Sequence, residues 1–172
     1  MEKFLETKRI GFSTWKNADY IQAETLWGNK LVTKYICASG AFTPGEIRKR
    51  LETEVSNEEK YGVQYWPIYT IESGQFLGCC GLRPHGDQEY EIGFHLCPEH
   101  WGQGYAKEAA EAVIAYAFNE LHAKALFAGH NPNNMASKGL LQKLGFRYIG
   151  DEYYAPTGLY HPSYTLQNQE KL

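Results

Sequence analysis

The stretch Trp101-Gly102-Gln103-Gly104-Tyr105-Ala106 stands between a strand-like run and the longest stretch of helical apolar periodicity in the chain. Glycines at such a junction let the backbone turn with its N–H groups facing open space, at the positive end of the following helix dipole. That arrangement suits a phosphate or pyrophosphate. A tight strand-to-helix turn with no ligand accounts for the glycines equally well. Two familiar phosphate loops do not fit. A Walker-type loop ends in Gly-Lys-Ser/Thr, whereas Gly104 is followed by Tyr105. A dinucleotide fingerprint needs a small residue where Lys107 stands and an acid roughly 20 residues on, and no acid marks a strand end near Lys124.

The run Glu89 to Leu96 precedes this loop. Its alternation puts Glu89, Glu91, Gly93 and His95 on one face and Tyr90, Ile92, Phe94 and Leu96 on the other. Glu91, with His95 as a second candidate, could take a proton directly or through water; a partly exposed sheet face with ordinary charges reads the same way. Further on, Asn134 caps a short helix and Ser137 closes its first turn, which is a sufficient structural reason for both.

Several of these stretches carry a family resemblance. The glycine loop resembles the acetyl-CoA-binding motif of the GNAT superfamily of N-acetyltransferases, of form Gln/Arg-x-x-Gly-x-Gly/Ala, with Gly104 and Ala106 in register and Trp101 departing at the first position. Trp-Gly-x-Gly-Tyr-Ala resembles the form used by the branch containing the ribosomal-protein alanine and serine N-acetyltransferases. Glu91-Ile92-Gly93-Phe94-His95-Leu96, Asn134-Met135-Ala136-Ser137 and Lys143-Leu144-Gly145-Phe146 resemble elements of that branch in the same order. Leu5-Glu6-Thr7-Lys8-Arg9 and Gly78-Cys79-Cys80-Gly81-Leu82 agree as well, so the resemblance runs from about residue 5 to about 167.

The resemblance implies acetyl-CoA as co-substrate, no metal, and direct attack of a primary amine on the thioester in a ternary complex. The acceptor would be a protein N-terminus or a small amine. Gln103, Gly104, Tyr105 and Ala106 would face the pyrophosphate through backbone N–H groups. The pantetheine arm would pair with Phe94 to Leu96 like an extra strand, with Asn134 and Ser137 close to it. Glu91 would act as base. Ser137, in competition with a tyrosine, would return a proton to the sulfur. The alternative is a non-catalytic acyl-CoA-binding regulatory module, which would keep the loop and Asn134 but lack a working base.

These residues need elements to position them. An opening strand spans Thr7 to Ser13, and helical spacing follows from Asp19 to about Leu31. Thr43-Pro44-Gly45-Glu46 is a capping box that opens a helix through Ile47, Leu51 and Val55. Strand-like runs cover Tyr65 to Ile71, Gln75 to Leu82 and Glu89 to Leu96, with a turn at Pro84-His85-Gly86-Asp87. Ala106 to about Leu121 has the periodicity of a long helix, and Ala125 to Ala128 that of a buried strand. A short helix from about Met135 ends at Gly145, and strands at Phe146 to Tyr154 and Ser163 to Gln167 complete the order. The pattern is an α+β domain with a mostly antiparallel sheet. With the resemblance, a GNAT-like twisted sheet of about six to seven strands with about four helices is expected, as one domain over 1–172.

Composition narrows the function classes. The chain has 172 residues, 43% apolar and 22% charged, with a formal net charge of −3. That is a globular composition, with no basic excess for nucleic acid and no apolar run long enough for a membrane helix. The absence of an apolar leader suggests a cytoplasmic protein, and a homodimer is compatible with the family. Cys37, Cys79, Cys80 and Cys97 lack metal-ligand spacing and read as reduced thiols, mostly core fillers, with Cys79 and Cys80 on opposite faces of one strand. Arg48, Lys49 and Arg50 read as a solvated basic cluster, His122 and His130 as too isolated for a metal site, and the polar end from Gln167 as frayed. Tyrosine is over-represented at 13 residues. Tyr148, Tyr153, Tyr154, Tyr160 and Tyr164 crowd the late strands, which in the family flank the acceptor.

Overall fold

The alternating apolar positions in the middle of the chain form a meander. Strands β3 (Tyr65–Thr70), β4 (Phe76–Gly86) and β5 (Glu89–Leu96) pair antiparallel in turn. The computed structural model describes residues 2–171. Two short strands, β1 (Leu5–Glu6) and β2 (Ile10–Phe12), extend the meander on one side. On the other side lie β6 (Ala125–Gly129), β8 (Leu159–Gln167) and β7 (Arg147–Tyr154), giving one eight-stranded sheet in the order β1-β2-β3-β4-β5-β6-β8-β7. Every pairing is antiparallel except β5 with β6. Five helices accompany the sheet: α1 (Tyr20–Trp27), α2 (Lys30–Thr33), α3 (Pro44–Tyr61), α4 (Tyr105–Asn119) and α5 (Met135–Lys143).

The core has two parts. Ile92, Leu96, Cys80 and Leu126 pack with Ala109, Ala110, Val113 and Ala117 of α4. Tyr65, Cys79 and Cys97 pack with Leu26, Trp27 and Leu51 of α1 and α3. The neighbours Cys79 and Cys80 thus serve different core clusters, as period two demands. Both thiols are free and buried, and burial pushes Cys79 up to about 12.

The α+β architecture with its mostly antiparallel sheet matches expectation, with eight strands and five helices among the described residues where six to seven and about four were expected. The added strand is β1, a two-residue edge too short to leave an alternation signal. The single helix expected over 19–31 is broken at Gly28, and Asn29 caps a new helix by accepting the Leu31 N–H at 2.9 Å. The turn expected at 84–87 lies at Asp87–Gln88 instead. β4 carries Pro84 within it because the ladder shifts register between Pro84 and Gly86, and an irregular position tolerates a residue with no N–H. β8 begins at Leu159, four residues before the expected Ser163, paired to β7 through the Tyr154↔Leu159 end of that hairpin. Nor is the start of the C-terminal segment frayed. Asn168 is buried, its Nδ2 donates to the Ala123 carbonyl at 3.0 Å and its N–H to the Lys124 carbonyl at 2.9 Å.

Candidate acetyl-transfer site

The parallel ladder between β5 and β6 is short. It runs Glu89↔Ala125, Tyr90↔Leu126, Glu91↔Phe127 and then ends, although β5 continues to Leu96 and β6 to Gly129. The β6-facing edge of Phe94 to Leu96 therefore borders a cleft of about 970 Å³. The glycine loop closes one end of that cleft. Gly102 and Gly104 have φ values of 73° and 81°, which a side chain with a Cβ adopts only at a cost. Gly104 is the N-cap of α4 and supplies no capping side chain, so the first-turn N–H groups of this 15-residue helix are left for another acceptor.

Side chains brace this loop from behind. Arg9 Nη1 donates to the Gln103 carbonyl at 2.9 Å, Arg9 Nε donates to Glu108 Oε2 at 2.6 Å, and the guanidinium lies 4.3 Å from the Tyr105 ring centroid. Thr7 Oγ1 and the Arg9 N–H both donate to Glu108 Oε1. Burial works against the Glu108 carboxylate, but the hydrogen bonds from Thr7 and Arg9 and the charge of Arg9 hold it below its ordinary range. Trp101 Nε1 donates to the Leu96 carbonyl at 3.0 Å, which ties the loop to the end of β5.

The opposite lip is α5. Asn134 caps it by accepting the Ser137 N–H at 3.2 Å, and both residues line the cleft. Behind them, buried His130 contacts the Asn131 carbonyl at 2.7 Å and the Tyr164 hydroxyl at 3.2 Å.

The remaining wall is polar and crowded. Arg83 and Glu91 are cross-strand partners on the same face. Arg83 Nη2 donates to Glu54 Oε1 at 2.6 Å, and its guanidinium lies 4.2 Å from the Tyr65 ring centroid. Glu54 is fully buried, and its Oε2 accepts the Tyr65 N–H at 2.8 Å. A Cβ at position 93 would run into the Tyr65 ring, so Gly93 is required for this packing. Burial raises the Glu91 carboxyl above its ordinary range; the charges of Arg83 and His85 oppose the rise and Glu152 adds to it. His95 moves the other way, held well below its ordinary value by burial and by the charges of Arg50 and Arg83. Trp27 Nε1 donates to His95 Nδ1 at 3.2 Å. Because an indole N–H only donates, the neutral ring carries its proton on Nε2. His95 therefore has no free lone pair with which to act as a base.

Residues 9–147 match the family described as an acetyltransferase (GNAT) domain. The chain belongs to the GNAT acetyltransferase family. YkkB, an uncharacterized protein of Bacillus subtilis (strain 168), is 36% identical over 113 residues, covering 64% of this chain and 66% of that one. The uncharacterized N-acetyltransferase p20 of Bacillus licheniformis is 30% identical over 152 residues, 85% of this chain and 83% of that one. Among solved structures, RimL, a ribosomal L7/L12 alpha-N-protein acetyltransferase in complex with coenzyme A, superposes with a TM-score of 0.81. It is 13% identical, covering 96% of this chain and 98% of that one, and the likeness is one of fold.

In this GNAT chain Glu91, Phe94, Leu96, Gly104, Tyr105, Ala106, Asn134 and Ser137 all line one cleft. Gln103 stands beside it as the carbonyl that Arg9 holds, its side chain donating back to the Glu99 carbonyl at 3.1 Å. Of the late tyrosines, Tyr153 and Tyr154 line the cleft. Tyr148 instead donates to Asp151 at 2.9 Å, Tyr160 packs on Tyr153, and Tyr164 is buried against His130. The solvated reading of Arg50 is wrong. Its guanidinium lies 4.9 Å from the Trp27 ring centroid and its residue lines the cleft, because it shares the inward face of α3 with buried Ile47, Leu51 and Glu54. That i, i+3, i+4, i+7 pattern was present in the sequence, with two charges in an otherwise apolar stripe. Tyr65, Arg83 and the Arg9–Glu108 brace went unread because nothing local in the chain links them. Among the described residues no cluster of three or more His, Cys, Asp or Glu could hold a metal, and no helix is long and apolar enough to cross a membrane.

Proposed function

We propose that this GNAT acetyltransferase, a single domain over 1–172 working in the cytoplasm, moves the acetyl group of acetyl-CoA to a primary amine by direct attack in a ternary complex. The observation that carries this reading is the parting of β5 and β6 beyond Glu91 and Phe127, beside a helix start whose N-cap is a bare glycine. An unpaired strand edge suits an amide-bearing arm, and an uncapped helix N-terminus suits a pyrophosphate, so the residues present fit acetyl-CoA. When bound, acetyl-CoA supplies the activated acyl group and a thiol leaving group.

The chain's own residues would do the rest. Backbone N–H groups of Gln103 to Ala106 hold the charged end of the donor, and Phe94 to Leu96 hold the arm, with Asn134 and Ser137 at the α5 lip. A backbone N–H of that strand edge faces the developing oxyanion. Glu91 takes the proton that the amine sheds on attack, directly or through water. Its raised pKa brings it closer to the pH at which it must work. Ser137, or one of Tyr153 and Tyr154, returns a proton to the sulfur. The test is calorimetric titration with acetyl-CoA together with thiol release across free amino acids, their carboxamides, polyamines and short peptides. Saturable binding and amine-dependent thiol release are expected; absence of both would overturn the reading.

A further inference from the structure

Among the described residues three buried side-chain nitrogens lack a hydrogen-bond partner, and all three belong to residues lining the cleft: Arg50 Nε, Arg83 Nε and His100 Nε2. His100 sits against Tyr105, on the glycine-loop side. Arg50 and Arg83 sit together on the other side, where the amine must arrive if the proposed function is right.

The charge balance there is uneven. Glu54 is the carboxylate paired with Arg83, and both its oxygens are committed, one to Arg83 Nη2 and one to the Tyr65 N–H. Arg50, one turn earlier on α3, has no ion pair among the described residues. Aromatic faces hold it instead, with Trp27 at 4.9 Å and Phe42 at 5.8 Å from the guanidinium carbon. Glu91 faces the same space and is ion-paired with neither arginine. A buried guanidinium N–H with no acceptor is unfavourable, and a planar carboxylate is the group that matches two such forks. The wall thus holds a carboxylate at Glu91 and a guanidinium at Arg50, neither with an ion pair among the described residues, beside the Glu54-bound guanidinium of Arg83.

We propose that the acceptor is a small zwitterion, an amine that also carries a carboxylate, with its ammonium directed to Glu91 and its carboxylate held by Arg50 and Arg83. This deepens the acetyltransferase reading and rests on it. A free amino acid meets both ends of the wall. The N-terminus of a peptide offers a neutral amide where the carboxylate would be and leaves the guanidinium donors unanswered.

The experiment compares thiol release from acetyl-CoA with free L-amino acids, with the carboxamide of each, and with short peptides of the same N-terminal residue. Free acids are expected to show a kcat/KM about tenfold or more above their carboxamides and peptides. Arg50→Gln should raise KM for the acids about tenfold, leave KM for the carboxamides within about twofold, and leave CoA affinity unchanged. Arg50→Lys, which keeps the charge and loses the fork, should fall between. Carboxamides or peptides turned over as well as the free acids by the wild type would overturn this proposal while the acetyltransferase reading stands. So would an Arg50→Gln enzyme whose KM rises equally for both. The wild-type comparison decides even if the variants fail to fold. No saturable acetyl-CoA binding and no thiol release that depends on any of these amines would instead sink the reading beneath it, and this proposal with it.

Discussion

On the glycine-loop side of the cleft the features that would hold the proposed donor are backbone: an uncapped helix start, two left-handed glycines and a strand edge without a partner. On the side of α3 and β4 the wall is built of side chains from four elements, Arg50, Glu54, Tyr65, Arg83 and Glu91, with Arg83 ion-paired to Glu54 and lying over the Tyr65 ring. A backbone site tolerates side-chain change and depends on local dihedrals, so it can stay constant while sequences drift. A side-chain site depends on who the neighbours are, so it is where one acceptor is distinguished from another. In this account the first side holds the donor common to the family and the second chooses the amine.

The largest effect should come from breaking the acceptor side at its base. Glu91→Gln should lower kcat by about 10²–10⁴-fold. With the ionised Glu91 carboxylate as the proposed base, kcat/KM should climb as pH rises through the raised Glu91 pKa and level off above it. That limb should vanish in the variant, while the separate rise from deprotonation of the amine itself remains. Next comes the donor side. A β-branched residue at the 81° φ of Gly104 costs about 1–2 kcal/mol. If the strain falls on the CoA-binding conformation, Gly104→Val should weaken CoA by about 5–30-fold with little change in acceptor KM.

Two smaller effects sharpen the contrast. Arg9→Ala removes the brace behind the loop. Its side chain is 40% exposed, so solvent screening limits the loss to about two- to fivefold in CoA affinity, read by titration. Thr43→Ala opens the capping box of α3, in which Thr43 Oγ1 accepts the Glu46 N–H at 3.2 Å and Glu46 Oε2 accepts the Thr43 N–H at 2.7 Å. It should cost about 1 kcal/mol, seen as a Tm lower by roughly 2–4 °C, with CoA affinity untouched.

The same contrast explains what could be read from the sequence. The glycine loop, the Asn134 cap, the capping box at Thr43 and the full extent of β5 are local patterns, written in residues adjacent along the chain. The residues lining the loop side of the cleft were therefore legible by number. The acceptor wall brings position 50 against positions 27 and 42, and position 54 against 83, contacts made by folding rather than by spacing. Only the inward stripe of α3 left a trace, because Arg50 and Glu54 interrupt the apolar run of Ile47 and Leu51. The tyrosine excess likewise resolved only in three dimensions, where Tyr153 and Tyr154 of β7 line the cleft while Tyr148 of β7 and Tyr164 of β8 have partners elsewhere.

The division of labour between the two sides is tested most directly by measuring CoA affinity and turnover together in Glu91→Gln. The account predicts CoA affinity equal to that of the wild type, with turnover reduced by at least about a hundredfold. Turnover retained in the variant, or CoA affinity lost in step with it, would contradict the account.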